Sequence, residues 1–264
     1  MNLNLSLGAL LLMLASVTVS AQNEIVAVPN RPTVSTPAQP VQVGVLETEW
    51  GVDAASSHRD MNALLKFGLT TNFELRLANN PFTEDFGTNG FGDTSVGFKY
   101  RFTRDSGYKP SIAFMYMYKV QTAGDVLGSG EADHVFTFLA SKDIGKHHFD
   151  FNSVMNLLGQ PQVGFDHDFL NALAWSHPVR GKWSATAEFS GMTSPDAVTP
   201  GAAQFLASAI YTAQPRLVFD IGMMGRLAGQ IPNAMFVAGV TYSIADLYRG
   251  HRHNDSPTPA SAVH

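Results

Sequence analysis

Stretches of about ten residues in which apolar and polar side chains alternate recur along most of this chain. In 216–227, Leu217, Phe219, Ile221 and Met223 point one way and Arg216, Asp220 and Arg226 the other, because side chains alternate along a strand. In 95–102, Val96, Phe98, Tyr100 and Phe102 stand against Ser95, Gly97, Lys99 and Arg101. Phe149, Phe151, Met155 and Leu157 oppose Asp150, Asn152 and Asn156, while Trp183, Ala185, Ala187 and Phe189 oppose Ser184, Thr186, Glu188 and Ser190. One face of each stretch could sit in hydrocarbon and the other could not, which is the pattern of a transmembrane β-barrel.

Strands are expected at 41–52, 59–69, 72–79, 93–103, 110–121, 132–142, 147–158, 167–177, 182–192, 202–213, 215–227 and 233–245. The faces of 132–142 and 167–177 are ambiguous. Thr70-Thr71, Ile144-Gly145, Val179-Arg180-Gly181 and Gln214 read as tight turns. Segments 80–92, 122–131, 159–166 and 193–201 are longer and rich in Gly, Pro, Asn and Asp. The expected fold is therefore all-β: a single antiparallel transmembrane barrel of about twelve strands, with short periplasmic turns and longer extracellular loops. Hydrocarbon offers backbone N–H and C=O groups no partner, so the first and last strands must pair. Strand 41–52 breaks its own alternation, since Val41, Val43 and Val45 are followed on one face by Glu47 and Glu49. A bulge near Leu46 would turn both carboxylates inward.

Composition fits an envelope barrel. Only 15% of residues are charged, against roughly 25% in soluble domains, yet mean hydropathy is −0.01, too low for a bundle of membrane helices. The net charge of −5 gives no footprint for nucleic acid. With no cysteine, the chain can carry neither a lipoprotein anchor nor a disulfide. The one long apolar run, 5–19, precedes Val19-Ser20-Ala21, and residues 1–21 read as a signal peptide cleaved after Ala21, the alternative being an N-terminal anchor. Residues 22–40, with Pro29, Pro32, Pro37 and Pro40, read as an extended periplasmic segment. The barrel is assigned to 41–246 and a disordered periplasmic tail to 247–264.

Several segments resemble the outer-membrane barrels grouped as the MetA-pathway of phenol degradation family. They are Asn30-Arg31-Pro32-Thr33, the run Gly68-Leu69-Thr70-Thr71-Asn72-Phe73-Glu74-Leu75-Arg76, the run Gly92-Asp93-Thr94-Ser95-Val96-Gly97-Phe98-Lys99-Tyr100-Arg101-Phe102, and Val237-Ala238-Gly239-Val240-Thr241-Tyr242-Ser243. The resemblance implies an outer-membrane channel of a Gram-negative bacterium for passive uptake of small hydrophobic or aromatic molecules. It supplies no catalytic residue and no cofactor.

The residues expected to line the lumen are Glu47, Glu49, Lys66, Glu74, Arg76, Lys99, Arg101, Lys119, Asp150, Glu188, Asp220 and Arg226. Two readings share this set: charges that set solute selectivity, or charges that pair across strands and fill the interior. Outward aromatics near strand ends, among them Tyr100, Phe102, Tyr118, Trp183, Tyr211 and Tyr242, read as interfacial girdles. Phe82, Phe86 and Phe91 fall in a long loop and are expected to pack on one another.

His147-His148, Asp166-His167-Asp168 and His251-Arg252-His253 lack a complete metal-ligand spacing, so no metal site is expected. Nor is there a G-x-S-x-G, H-E-x-x-H or P-loop motif. The expected partners are outer-membrane lipid, a small-molecule solute and, during insertion, the barrel-assembly machinery. The rival readings are a membrane-embedded hydrolase acting on lipid, which needs a Ser beside a His, a structural barrel without transport, and a soluble periplasmic β protein.

Overall fold

In the computed structural model, residues 24–248 are described, apart from 125, 126, 129, 161–163 and 197. The strands are β1 (Val45–Ala54), β2 (His58–Gly68), β3 (Phe73–Asp85), β4 (Thr88–Gly90), β5 (Thr94–Thr103), β6 (Ser111–Val120), β7 (Asp133–Ile144), β8 (His147–Gln160), β9 (Gly164–Arg180), β10 (Trp183–Met192), β11 (Ala202–Gln214), β12 (Leu217–Ala228) and β13 (Ala234–Asp246). Every strand except the short β4 pairs antiparallel with neighbours on both sides, and β1 meets β13. The result is a closed barrel of twelve staves with no open edge, as hydrocarbon demands.

One rim carries the tight connections 69–72, 145–146, 181–182 and 215–216, together with 104–110, which Ser106 and Lys109 close by a bridge. The opposite rim carries the long connections 121–132 and 193–201, whereas 55–57 is short and the loop expected at 159–166 shrinks to 161–163, because β8 runs to Gln160 and β9 starts at Gly164 and the two pair to their ends. In the 193–201 loop, backbone N–H groups of Thr199 and Val198 and the Thr199 hydroxyl donate to Asp196, holding its carboxyl below the usual range. Strand β3 runs past the expected end at 79, because Phe86 and Gly87, both at positive φ, turn the chain back into β4. Phe86 and Phe91 are 84% and 67% exposed and do not pack on one another as expected.

The outer face is apolar. Leu75, Leu77, Val96, Phe138, Leu173, Phe189, Phe219, Ile221, Met223 and Phe236 are all exposed along it. Aromatic rings cluster toward the short-turn rim, where Trp183 and Tyr211 lie 4.8 Å apart and Tyr100 and Phe102 5.1 Å apart. The two ambiguous strands also resolve: β7 turns Asp133, Thr137, Leu139 and Ser141 inward, and β9 turns Asp168, Ala172 and Ala174 inward.

The β1–β13 register does slip at Leu46/Glu47, but the extra residue is Ile244 on β13, since Leu46 faces Ala245 and Glu47 faces Ser243. Pairing of β1 with β2 stays regular through this point. Val41, Val43 and Val45 therefore do not change face relative to the glutamates. All five residues are buried. The apolar ones can point inward because something apolar lies inside: Val41 and Val45 pack on Val28.

Residues 24–44 occupy the barrel interior. Expected as an extended periplasmic lead, the segment instead lies along the inner wall, and the first strand accordingly begins at Val45 and not at Val41. The cleaved leader expected at 1–21 and most of the expected tail lie outside the described residues. Leu247 N–H still donates to the Gly44 carbonyl at the short-turn rim.

Candidate functional site in the barrel lumen

Inside a barrel, a segment without strand pairing leaves each backbone N–H in need of an acceptor, at a cost of about 1–3 kcal/mol if none is found. Pro29, Pro32, Pro37 and Pro40 remove four such donors outright. The wall supplies acceptors for others, one at a time. Val28 N–H donates to Glu47 at 3.0 Å and Asn30 N–H to Glu49 at 2.9 Å, both on β1. Val34 and Ser35 N–H each donate to Glu188 on β10 at 2.8 Å, with the Ser35 hydroxyl adding a third bond at 2.5 Å.

The path continues along further strands. Thr36 N–H donates to Asn152 on β8 at 2.8 Å, Ala38 N–H to Ser141 on β7 at 2.7 Å, and Val41 N–H to Glu74 on β3 at 2.7 Å. The wall also donates in return: Lys66 to the Val28 carbonyl, Lys99 to the carbonyls of Pro37 and Gln39, and Asn152 to that of Thr36. Around the barrel these anchors fall on β1, β12–β13, β10, β8, β7, β5 and β3 in turn. The segment thus makes nearly one circuit of the inner wall, beginning and ending at the short-turn rim.

Arg31 marks the point where the segment leaves β1. Its guanidinium donates to Asp53 at 3.0 Å and to the Ala238 carbonyl at 3.2 Å, and its Nε lies 3.7 Å from Asp220 on β12. Behind it, Gly51 and Gly239 face each other across β1–β13, and a Cβ on either would overlap the Arg31 side chain. Bare backbone is what lets the guanidinium lie against the wall.

Of the twelve charged residues singled out from the sequence, ten are buried on the inner wall: Glu47, Glu49, Lys66, Glu74, Arg76, Lys99, Arg101, Asp150, Glu188 and Asp220. They pair closely. Lys66 bridges Glu47 and Glu49, and Glu74 holds Arg76 at 2.6 Å with Lys99 at 3.7 Å. Arg101 reaches the Thr71 carbonyl in the short-rim turn. Lys119 lies near the long-loop rim, bridged to Asp133 and 3.8 Å from Asp93. Arg226 is exposed there and caps the Ile231 carbonyl at 3.2 Å. Pairing and filling thus describe most of the set, with one addition: several of these groups hold the internal segment.

The sequence reading gave no lumen role to Asn30, Arg31, Ser35 or Ser141, and it placed Asn152 on the polar face of its strand without counting it in the lumen set. A signal for an occupant of the lumen existed in apolar residues at inward positions of β6, β7, β11 and β12. Leu139, Ala113 and Ala38 form one buried cluster flanked by Met115, and Ala27 forms another with Ile210 and Val218. Apolar residues on the inner side of a barrel require an apolar occupant.

The histidine clusters resolve differently. His148 is held between Asp143 at 2.6 Å and Asp150 at 3.0 Å. His147 stacks on His177 and Trp175. Among the described residues no group of three or more His, Asp or Glu is placed to hold a metal, and 251–253 lie outside them. The Ser141 hydroxyl donates to Asp150 at 2.5 Å and accepts from Ala38 N–H, so its partner is a carboxylate and not the His148 ring that an acyl-transfer nucleophile needs.

Among the described residues, two of the cavities flank the internal segment. The larger, about 380 Å³, opens between the segment and the β1–β7 wall. The smaller, about 30 Å³, lies among Pro29, Pro37, His148, Asp150 and Thr186. Arg31 and Thr33 border both.

No protein-family profile matches the chain, and no curated protein sequence matches it. Solved structures do. The barrel is similar to an outer-membrane channel from Pseudomonas putida F1, with a TM-score of 0.63 at 12% identity over 78% of this chain and 97% of that one. It is also similar to the NanC porin, with a TM-score of 0.57 at 10% identity over 75% of this chain and 100% of that one. The KdgM porin in complex with disordered oligogalacturonate gives a TM-score of 0.57 at 8% identity over 75% of this chain and 99% of that one. At these identities the likeness is one of fold: this chain has the twelve-stave barrel seen in outer-membrane porins and channels.

Proposed function

We propose that the protein is an outer-membrane channel of a Gram-negative cell for passive passage of small molecules, and that residues 24–44 regulate that passage from within the lumen. The observation that carries this reading is the internal segment itself, held to seven or more staves by one to three hydrogen bonds at each inside a barrel whose outer face is apolar. A lining held by scattered bonds to separate strands can be displaced stepwise, unlike a strand added to the sheet. The short-turn rim is the periplasmic one, and the signal peptide is removed after Ala21. Lipid surrounds the barrel, and the assembly machinery of the outer membrane inserts it. The family resemblance favours small organic solutes, aromatic ones included. Apolar side chains at the lumen wall, such as Met115, Met117 and Leu64, agree with that preference.

Since the chain has no cysteine, an introduced pair reports cleanly. With Ala38→Cys and Ala113→Cys, which replace two buried, clustered alanines, oxidation ties the segment to β6. Planar-bilayer conductance and liposome influx should fall on oxidation and recover with reductant. Equal flux in both states would show that passage does not involve displacement of the segment.

A further inference from the structure

The larger cavity has polar atoms with nothing to bind. Both side-chain amide atoms of Asn30, Oε2 of Glu49 and Nε of Arg76 are buried without a hydrogen-bond partner. All three residues line the same 380 Å³ space. Buried polar groups are nearly always paired, and four orphaned atoms around one cavity therefore mark where a partner fits. Two of them donate, Asn30 Nδ2 and Arg76 Nε, and two accept, Asn30 Oδ1 and Glu49 Oε2.

Charge decides what kind of partner. Lys66, Arg76 and Lys99 together balance Glu47, Glu49 and Glu74, and Arg31 lies beside Asp53 and Asp220. Each cation lining the space has an anion beside it, so a further anion brought into it would meet no free counter-charge and would lose its hydration. The rest of the wall is mixed: Leu64, Met115, Met117 and Val135 with Ala63 and Ala78 form an apolar part, and Thr33, Thr36, Asn62, Asn80 and Ser95 a neutral polar one. Methionine adapts to flat, polarisable rings.

We propose that this cavity is a binding site for a small uncharged molecule carrying a group that both donates and accepts hydrogen bonds, such as a primary amide, on an apolar body. The polar end meets Asn30, Glu49 and Arg76, and the body lies against Met115 and Met117. Asn30 belongs to the internal segment and its backbone N–H is fixed by Glu49, so an occupant bridges segment and wall. The site lies in the lumen of the proposed channel and its access rests on that reading.

Benzamide and benzoate, nearly equal in shape and differing in charge, are the probes, titrated by calorimetry into detergent-folded protein. Benzamide should bind saturably and about tenfold more tightly than benzoate. Asn30→Ala should weaken it about fivefold, as loss of about one hydrogen bond implies, and leave the fold intact because this side chain makes no bond within the protein. Met117→Trp, which fills the space from the apolar side, should weaken it more. Absence of saturable binding by protein that still shifts on heating in a denaturing gel would overturn the proposal and leave the polar atoms to water. Benzoate binding as tightly as benzamide, or indifference to both substitutions, would overturn it as well. Solute flux in liposomes is read separately: binding without flux counts against the channel, and flux without binding counts against this site alone.

Discussion

Gly51 and Gly239 stand opposite each other at the seam where the barrel closes, and the guanidinium of Arg31 lies on the floor that they leave. A side chain at either glycine and the arginine cannot occupy this place together. Gly51→Val should therefore lift Arg31 from Asp53 and from its ion pair with Asp220, removing a charge-assisted hydrogen bond to Asp53 worth roughly 1.5–3 kcal/mol. The barrel should still fold and migrate with heat-dependent mobility. The expected outcome is raised bilayer conductance and faster amide exchange at Asn30 and Thr33; wild-type values for both would mean that Arg31 is not a latch.

Glu188 accepts three hydrogen bonds from Val34 and Ser35. Glu188→Ala leaves two buried N–H groups without acceptors, at about 1–3 kcal/mol each. Amide exchange at Val34 and Ser35 should quicken by one to two orders of magnitude, on the order of those energies, while exchange in β10 stays slow. Uniform quickening across β10 would instead place Glu188 among the supports of the barrel itself.

Lys99 holds the carbonyls of Pro37 and Gln39. Lys99→Met keeps the length of the side chain, removes both bonds, and leaves Glu74 paired with Arg76. Conductance should rise and ion preference should move toward cations, since a fixed positive charge has left the lumen. A shift in ion preference at unchanged conductance would reduce Lys99 to a field-setting role.

Ile221 is exposed on the outer face in the middle of β12. Ile221→Arg should destabilise the barrel in bilayers by about 2–4 kcal/mol, the range for a charge at the lipid midplane. Asn62, on the inner wall and hydrogen-bonded to Asp53, should tolerate the same change better because a carboxylate lies beside it. Reversible unfolding in liposomes measures both, and equal costs would mean that the outer face of β12 does not meet lipid.

Much of the barrel was legible because one rule governs every strand. Lipid outside and polar atoms inside impose a period of two, and Phe219, Asp220 and Ile221 display it whatever their neighbours. Closure followed from the same physics, since an open edge has no partner in hydrocarbon. Strand ends were less legible: β3 runs on to Asp85 because a local turn at Phe86 and Gly87 permits it, not because of a face pattern.

What the sequence by itself determined is the alternation, the charge content of the inner wall and the proline spacing that forbids strand pairing in 24–44. Only the tertiary structure decided where that segment goes. Its acceptors, Glu47, Glu49, Glu74, Ser141, Asn152 and Glu188, lie on five different strands and more than a hundred residues away in several cases, so no local pattern announces them. The inward valines of β1 make the same point: Val45 beside Glu47 reads as a broken face until Val28 is found packed against it. A hydrogen bond or an apolar contact needs two groups at one place, and the closed sheet, not the order of residues, brings them there.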